Sequence, residues 1–210
     1  MTFYRKCVLG LALAAFAVGP ADAARKSGLT GAAFLKVGVG ARAAGLGSAY
    51  TTATGDATQM FWNPAGITLD RGMQATINHN QWIADLDHLA LGVTRKFGDF
   101  GTIGIGVVSL GVSGIASDRD VVPDFIQGFT PFDTNTGSYD YQDLAVGISW
   151  ARDVTNKLSM GLTGKLISQS IDDESATAYA LDLGAIYSIG FRGARIGARL
   201  NNLGSDIDFF

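Results

Sequence analysis

The sequence predicts an all-β protein, an antiparallel transmembrane β-barrel with an N-terminal segment that folds into its lumen as a plug. Three observations support this fold class. The chain begins with a cleavable export signal. Its composition is hydrophobic, but no apolar run is long enough for a membrane helix. From about residue 73 onward, large and small residues alternate over long stretches.

The first 23 residues have the organisation of a secretory signal peptide. Arg5 and Lys6 form a positive region, residues 8–18 are apolar, and the small residues around Ala23 predict cleavage after that position. The apolar run is shorter than the roughly 20 residues needed to span a bilayer. Cys7 is the only cysteine and would leave with the signal peptide, so the mature chain would have neither disulfides nor thiolate chemistry.

The composition favours a membrane protein. The chain has 28 glycines, 17% charged residues and a mean hydropathy of +0.21, whereas soluble domains carry about 25% charged residues. Because only helices and closed barrels satisfy every backbone polar group in lipid, a barrel is the membrane fold that fits. A soluble, glycine-rich β-sandwich is the alternative. The net charge of −3 offers no basic patch for nucleic acid.

Period-2 alternation predicts seven strands. In one of them Ile103, Ile105 and Val107 alternate with Gly104 and Gly106, so the large side chains share one face. The stretches exceed the usual strand of about 5 or 6 residues and approach membrane-strand length. The glycine-rich face also suits a crowded barrel interior. The predicted strands cover about residues 73–82, 87–97, 101–111, 139–152, 158–170, 178–189 and 194–203.

The predicted connections alternate in length, as in outer-membrane barrels with short periplasmic turns and long outer loops. Because the signal peptide places the mature N-terminus in the periplasm, the short turns fall on the periplasmic side. The short connections are 98–100, 153–157 and 190–193, and the long ones are 83–87, 112–138 and 172–177. Aromatic residues near strand ends fit interfacial girdles, although strand propensity explains each equally well: Trp82, Phe97, Tyr141, Trp150, Tyr179 and Tyr187.

The N-terminal segment, residues 24–72, does not alternate. Asp56 is placed to cap a short helix through Met60 and Phe61. Pro64 ends this helix, because proline disfavours the α conformation in the residue before it. Small residues at 38–49 permit close backbone approach, which fits a plug inside the lumen.

The same residues carry a family resemblance. FLKVGVGARAAGLGSA at 34–49, followed by DAT at 56–58 and WNPAG at 62–66, closely resembles the N-terminal motif of the PorV/PorQ family of outer-membrane proteins. More distantly, NPAG at 63–66 resembles the hatch motif of the FadL-type fatty-acid transporters. The resemblance implies a FadL-like barrel of the bacterial outer membrane with a lumenal hatch. The hatch-motif residues that it marks are Arg42, Gly45, Gly47, Asp56, Asn63, Pro64, Ala65 and Gly66.

The resemblance implies one of two functions. PorV-like members serve type IX secretion and bind the C-terminal signal of exported cargo at the outer face. FadL-like members pass hydrophobic small molecules across the outer membrane. The inward strand faces carry Gly, Ser, Thr, Lys and Arg rather than an apolar lining, which favours secretion. A partner-binding loop is expected within 112–138, unless this loop folds over the barrel mouth. Its apolar residues are Val121, Val122, Phe125, Ile126, Phe129 and Phe132.

Seven strands are an odd number, whereas bacterial single-chain barrels have an even number. Members of the resembling family are longer, with about twice the strands, so we expect the chain to be a C-terminally truncated fragment with an incomplete barrel over 73–210. An eight-strand barrel ending on the aromatic Phe210 and a soluble sandwich are the alternatives.

The sequence indicates neither an enzyme nor a cofactor. His79 and His88, the only histidines, lie on neighbouring predicted strands, close enough in sequence to approach each other. No metal-site spacing accompanies them, so ordinary strand histidines are favoured over a metal site. The acidic loop residues lack a Ca²⁺-loop pattern, and no nucleophile elbow is present. In the N-terminal segment, Lys36 and Arg42 are expected to pair with lumenal carboxylates such as Asp182.

Overall fold

A computed structural model describes residues 31–69, 72–116 and 138–205 of the chain. The predicted signal peptide and the six apolar residues between Val121 and Phe132 lie outside the described residues. The sheet is a single antiparallel one with seven strands in sequence order. The strands are β1 (Met73–Gln81), β2 (Asp87–Lys96), β3 (Thr102–Ala116), β4 (Ser138–Thr155), β5 (Leu158–Ile171), β6 (Glu174–Ser188) and β7 (Arg195–Gly204).

The predicted all-β class and the seven antiparallel strands are confirmed. Within the described residues, β1 and β7 are edge strands that do not pair with each other, so the sheet is open. Among the helices of these same residues, none has the length and hydropathy needed to traverse a lipid bilayer.

The predicted alternation of short and long connections is wrong for two of the three supposedly long ones. At one end, here the lower end, the connections are 97–101, 156–157 and 189–194; at the upper end they are 82–86, 117–137 and 172–173. Residues 82–86 are no longer a stretch than 97–101. β6 begins at Glu174 because the β5–β6 ladder continues to the Ile171–Glu174 pair. Asp172, with φ of 54°, then closes a two-residue turn, a conformation that aspartate tolerates.

The two faces of the sheet differ sharply in side-chain size. On the outer face, large apolar side chains stand exposed, for example Ile77 at 77%, Ile148 at 60% and Ile196 at 62%. On the inner face the residues are small or polar and mostly buried, as with Ala90, Thr94, Ala145, Ser149 and Thr163. This distribution matches the predicted alternation.

Most of the predicted girdle aromatics are exposed, as Phe97, Tyr179 and Tyr187 are. Tyr141 is the exception, because it shares the inner face with Asp143 two residues further on. Its hydroxyl donates a hydrogen bond of 2.5 Å to Asp143 Oδ2. The interpretation of Tyr141 as a girdle residue is therefore wrong.

The N-terminal segment covers the inner face. Its described residues contain three 3-10 helices and one short α-helix: Ala33–Lys36, Ala57–Phe61 and Pro64–Leu69 are 3-10, and Ala41–Gly45 is α. The short helix expected after Asp56 is thus a 3-10 helix. Apolar contacts join the N-terminal segment to the strands, since Phe34 and Val39 pack with Ala90, Val108 and Ala145.

Glycines on the inner face let the segment approach the backbone of the strands. A Cβ at Gly184 would overlap Asn63 Oδ1, and one at Gly161 would lie 2.5 Å from the carbonyl carbon of Pro64. A Cβ at Gly106 would lie 2.9 Å from Met60 and Phe61 side-chain atoms. Real Cβ contacts are longer than this. At Gly161 and Gly184 the added atom would crowd the Asn63–Ala65 stretch, including its backbone, whereas at Gly106 the flexible end of the Met60 side chain would have to shift.

Gly184→Ala should therefore lower the free energy of unfolding by about 1–3 kcal/mol, the range for overpacked sites. The measurement is guanidinium unfolding of the chain in detergent micelles, followed by circular dichroism. Gly164→Ala is the matched control, because Gly164 is an exposed residue of β5 and a Cβ there meets nothing within 4 Å. Equal effects of the two substitutions would contradict the packing described here.

Candidate functional site between the N-terminal segment and the sheet

Asp56 organises the middle of the N-terminal segment. Its Oδ1 accepts a hydrogen bond of 2.9 Å from the backbone N–H of Thr58, which caps the 3-10 helix. Its Oδ2 accepts from the Tyr50 hydroxyl at 2.6 Å and from Arg42 Nη1 at 3.2 Å. Arg42 therefore pairs with Asp56, which lies in the same segment. The sequence-based expectation that Arg42 pairs with Asp182 is wrong.

The interactions around Asp56 differ in strength. The Arg42 side chain is 64% exposed, and ion pairs this open contribute about 0–1 kcal/mol. Tyr50 is only 1% exposed. Burial, together with its hydrogen bond to Asp56, raises the pKa of Tyr50 above its usual value of 10.0. The phenol therefore stays protonated and keeps donating to the carboxylate.

Asn63 fixes the NPAG motif against the sheet. Its Nδ2 donates to the Thr51 carbonyl at 2.8 Å, and its Oδ1 accepts from the Ala65 N–H at 3.1 Å. The side chain is fully buried, so each of its polar atoms needs such a partner. Gly66 is also required in this motif, because a Cβ there would lie 2.9 Å from Gln59 Oε1.

The other two predicted hatch glycines make no such contacts. A Cβ at Gly45 or Gly47 would meet nothing within 4 Å. Gly47 does adopt a φ of +60°, the left-handed conformation that glycine tolerates best, just after the short α-helix.

Trp62 connects the segment to β7. Its indole N–H donates to the Val39 carbonyl at 2.8 Å, and its ring contacts Tyr50 edge to face at 5.8 Å. The Trp62 carbonyl accepts from Arg199 at 3.0 Å and from Asn201 at 3.2 Å. The Arg199 guanidinium also lies 5.1 Å from the Trp62 ring centroid, a cation–π distance.

A buried ion pair lies beside this contact. Lys165 Nζ is 2.6 Å from Asp182 Oδ2, and the two side chains are 11% and 1% exposed. Asn202 bridges them, since its N–H donates to Asp182 Oδ1 at 2.7 Å and its Oδ1 accepts from Lys165 at 2.8 Å. Asn202 has a φ of 58° and lies in the irregular stretch where the β6–β7 register shifts.

A cavity of about 350 Å³ opens between the segment and the inner face. The segment supplies most of its apolar lining, and the strands supply small residues and the cations Lys165 and Arg199. Lys36 also lines the cavity. The expected pairing of Lys36 with Asp182 is wrong, because the partner of Asp182 is Lys165. Apolar side chains from the segment in this cavity are Leu35, Val37, Val39, Met60, Phe61 and Trp62.

The two histidines do not approach each other. His79 is exposed and lies 3.2 Å from Asp87, whereas His88 is 2% exposed on the inner face. They differ in parity within their paired strands, so they point to opposite faces. Within the described ranges, no three His, Cys, Asp or Glu side chains are grouped to hold a metal ion.

Comparisons with models of protein families and with curated proteins find no match to this chain. Of the predicted hatch-motif residues, the structure brings Arg42 and Asp56 together, and it packs Asn63, Pro64 and Ala65 against the strands. Sequence reasoning did not single out Trp62, Arg199 or Asn201 for the site. The position of Trp62 directly before the NPAG motif was the feature of the sequence that could have identified it as a site residue. The cavity has no such sequence feature, because it forms only by tertiary packing.

Asn63→Asp should release the segment, because a carboxylate cannot donate to the Thr51 carbonyl and would be buried in a fully enclosed site. We expect trypsin cleavage after Lys36 and Arg42 to accelerate about tenfold or more, as for loss of a buried hydrogen bond. Gel analysis of timed digests measures this rate. Asn80→Asp, at an exposed position of β1, is the matched control, and an equal acceleration there would disprove the assigned role of Asn63.

Proposed function

We propose that this chain is an outer-membrane protein, exported by a cleaved signal peptide, whose strands contact lipid with their outer face. The observation that supports this proposal is the inversion of the usual burial pattern. Large apolar side chains are exposed on one face, and glycine, alanine and hydroxyl residues are buried on the other. A lipid bilayer is the environment in which such an outer face is stable.

A soluble sandwich would need the opposite arrangement, with the large side chains packed between two sheets. In the described part of the chain, the N-terminal segment packs instead on the small-residue face. The outer face is then one large contiguous apolar surface. Soluble monomers commonly expose single apolar residues but rarely carry a surface of this kind.

In the proposed membrane state the strands form part of a FadL-like barrel wall, and the N-terminal segment is a hatch in its lumen. The open edges of β1 and β7 then need partner strands, because unpaired backbone groups are not tolerated in lipid. Because the signal peptide would leave the mature N-terminus in the periplasm and β1 begins at the lower end, the lower end faces the periplasm in the proposed membrane state.

The geometry best supports a role in binding and passing hydrophobic small molecules. The cavity beneath the hatch has an apolar lining that comes mainly from the segment, so the polar character of the strand faces does not argue against such a ligand. Its volume of about 350 Å³ lies at the lower end of the range for small-molecule pockets.

A second candidate function is the handling of exported proteins by type IX secretion. It rests on the apolar residues of the β3–β4 connection, including Phe125, Phe129 and Phe132, which lie outside the described residues. A loop with this many apolar side chains fits a partner-binding patch.

Ile148→Arg tests the membrane proposal. At a lipid-facing position near mid-strand, an arginine costs about 2–4 kcal/mol, so the fraction of chain folded in phosphatidylcholine vesicles should fall sharply. In a soluble protein, the same exposed position would tolerate arginine within about 0.5 kcal/mol. Protection of the strands from an added protease measures the folded fraction.

Val154→Arg is the control, because Val154 is an exposed outer-face residue at the lower end of the same strand, where the cost falls to about 0–1 kcal/mol. Normal vesicle folding of Ile148→Arg, with a gain in solubility without detergent, would sink the membrane proposal.

Val37→Trp tests the role in binding hydrophobic molecules. An indole at Val37 would fill the cavity, so the affinity for the apolar fluorophore N-phenyl-1-naphthylamine should fall about tenfold, or about 1.4 kcal/mol. Fluorescence titration measures this affinity. Val93→Trp, on the exposed outer face, is the control.

Replacing residues 117–137 by a short Gly-Ser linker separates the two candidate functions. The linker should leave binding of the fluorophore intact if the cavity is the site. Loss of cargo secretion with the linker, but normal secretion with Val37→Trp, would favour the secretion role instead.

A further inference from the structure

A second concavity lies on the outer face, near the lower end of β4, β5 and β6. It has a volume of about 520 Å³, and its lining is largely apolar. Trp150, Leu162 and Leu183 are in register across the three strands, and Arg152 pairs with Met160 one step further down. Its lining includes Trp150, Arg152, Val154, Met160, Leu162 and Leu183.

Among the described residues that line this groove, Asp153 is the one acid and Arg152 is the one cation. Its side chain belongs to the outer face, whereas the neighbouring Asp153 belongs to the inner face and accepts a hydrogen bond from Ser159 at 2.6 Å. Within the described residues, no ion pair includes Arg152. A guanidinium at the end of an apolar groove is therefore available for an anionic group.

The charges of the strand ends are strongly segregated. At the lower end the cations Arg95, Lys96, Arg152, Lys157, Arg192 and Arg195 outnumber the acids Asp99 and Asp153. The upper end carries the acids Asp85, Asp87, Asp140, Asp172, Asp173 and Glu174, and its described strand ends and turns contain no lysine or arginine. The groove thus opens at the one end of the sheet that attracts anions.

Aromatic rings accompany these lower-end cations. Arg95 lies 5.2 Å from the ring centroid of Phe97, and Arg192 lies 5.3 Å from that of Phe191. Exposed aromatic and basic side chains together are the composition found at membrane interfaces, where rings sit among headgroups and long cationic side chains reach the phosphates.

We propose that this groove binds an anionic phospholipid of the bilayer, with an acyl chain along the apolar lining and the phosphate on the Arg152 guanidinium. The proposal rests on the membrane location proposed above and adds a specific lipid site. The apolar lining of the groove favours a lipid over a free phosphate, and the Arg152 guanidinium at its end favours an anionic headgroup over a zwitterionic one.

The test uses the full chain folded in phosphatidylcholine vesicles, with Trp82→Phe as background. This substitution removes the tryptophan at the upper end and leaves Trp150 in the groove and Trp62 buried under the inner face. Tryptophan quenching by a small fraction of brominated phosphatidylglycerol is compared with quenching by brominated phosphatidylcholine. We expect an apparent preference for phosphatidylglycerol of about fivefold, the effect of one cation at an anionic surface.

Arg152→Gln should reduce this preference to near one. Arg95→Gln should preserve it, because Arg95 is an exposed cation of the same end that does not line the groove. Equal loss in both variants would overturn the site, since it would indicate a general attraction to the lower end. Absence of preference in the parent chain would overturn it as well. No quenching by either lipid would overturn the membrane location itself, a failure distinct from the other two.

Discussion

The absence of a side chain at the inner-face glycines is the constraint on which the rest of the structure depends. Where Asn63, Pro64 and Ala65 cross β5 and β6, only the hydrogens of Gly161 and Gly184 leave room for them. This close approach brings the Asn63 amide within reach of carbonyls on β6 and β7, at 3.4 and 3.5 Å from Ala185 and Ala198. The position of the segment therefore follows from the lack of Cβ atoms at these strand glycines rather than from a large apolar core.

Docking of the segment also determines which face of the sheet is left for other contacts. Once the small-residue face is covered, the large apolar side chains have no partner among the described residues and stay exposed. In water this surface would forfeit about 25 cal/mol per Å² relative to burial, whereas in hydrocarbon it carries no such penalty. The same glycine-rich alternation that accommodates the segment thus creates a surface suited to lipid, and the two properties are consequences of one sequence pattern.

Much of this fold was accessible from the sequence, because strand alternation and face identity are local properties. The pattern around Ile105 and Gly106 sufficed to assign both faces of β3. Connection lengths were less accessible: Asp172 and Asp173 close a tight turn only because ladder pairs extend past Thr177, which depends on the partner strand. Arg42 was assigned a distant partner although Asp56 lies 3.2 Å away. The cavity was not predictable, because its apolar lining comes from the non-alternating segment, whose path over the sheet is set by long-range packing.

The irregularity in β7 explains how the strand side of that cavity obtains its polar groups. A buried ion pair such as Lys165–Asp182 is costly to desolvate and gives little net stability by itself, so its value lies in what it positions. Here both charges hold Asn202 at the shift in the β6–β7 register. Just before this bridge, Asn201 and Arg199 both reach the Trp62 carbonyl. The ion pair therefore acts through the backbone of β7 to fix the two donors that hold the segment over the cavity, which gives a physical reason to keep buried charges in this sheet.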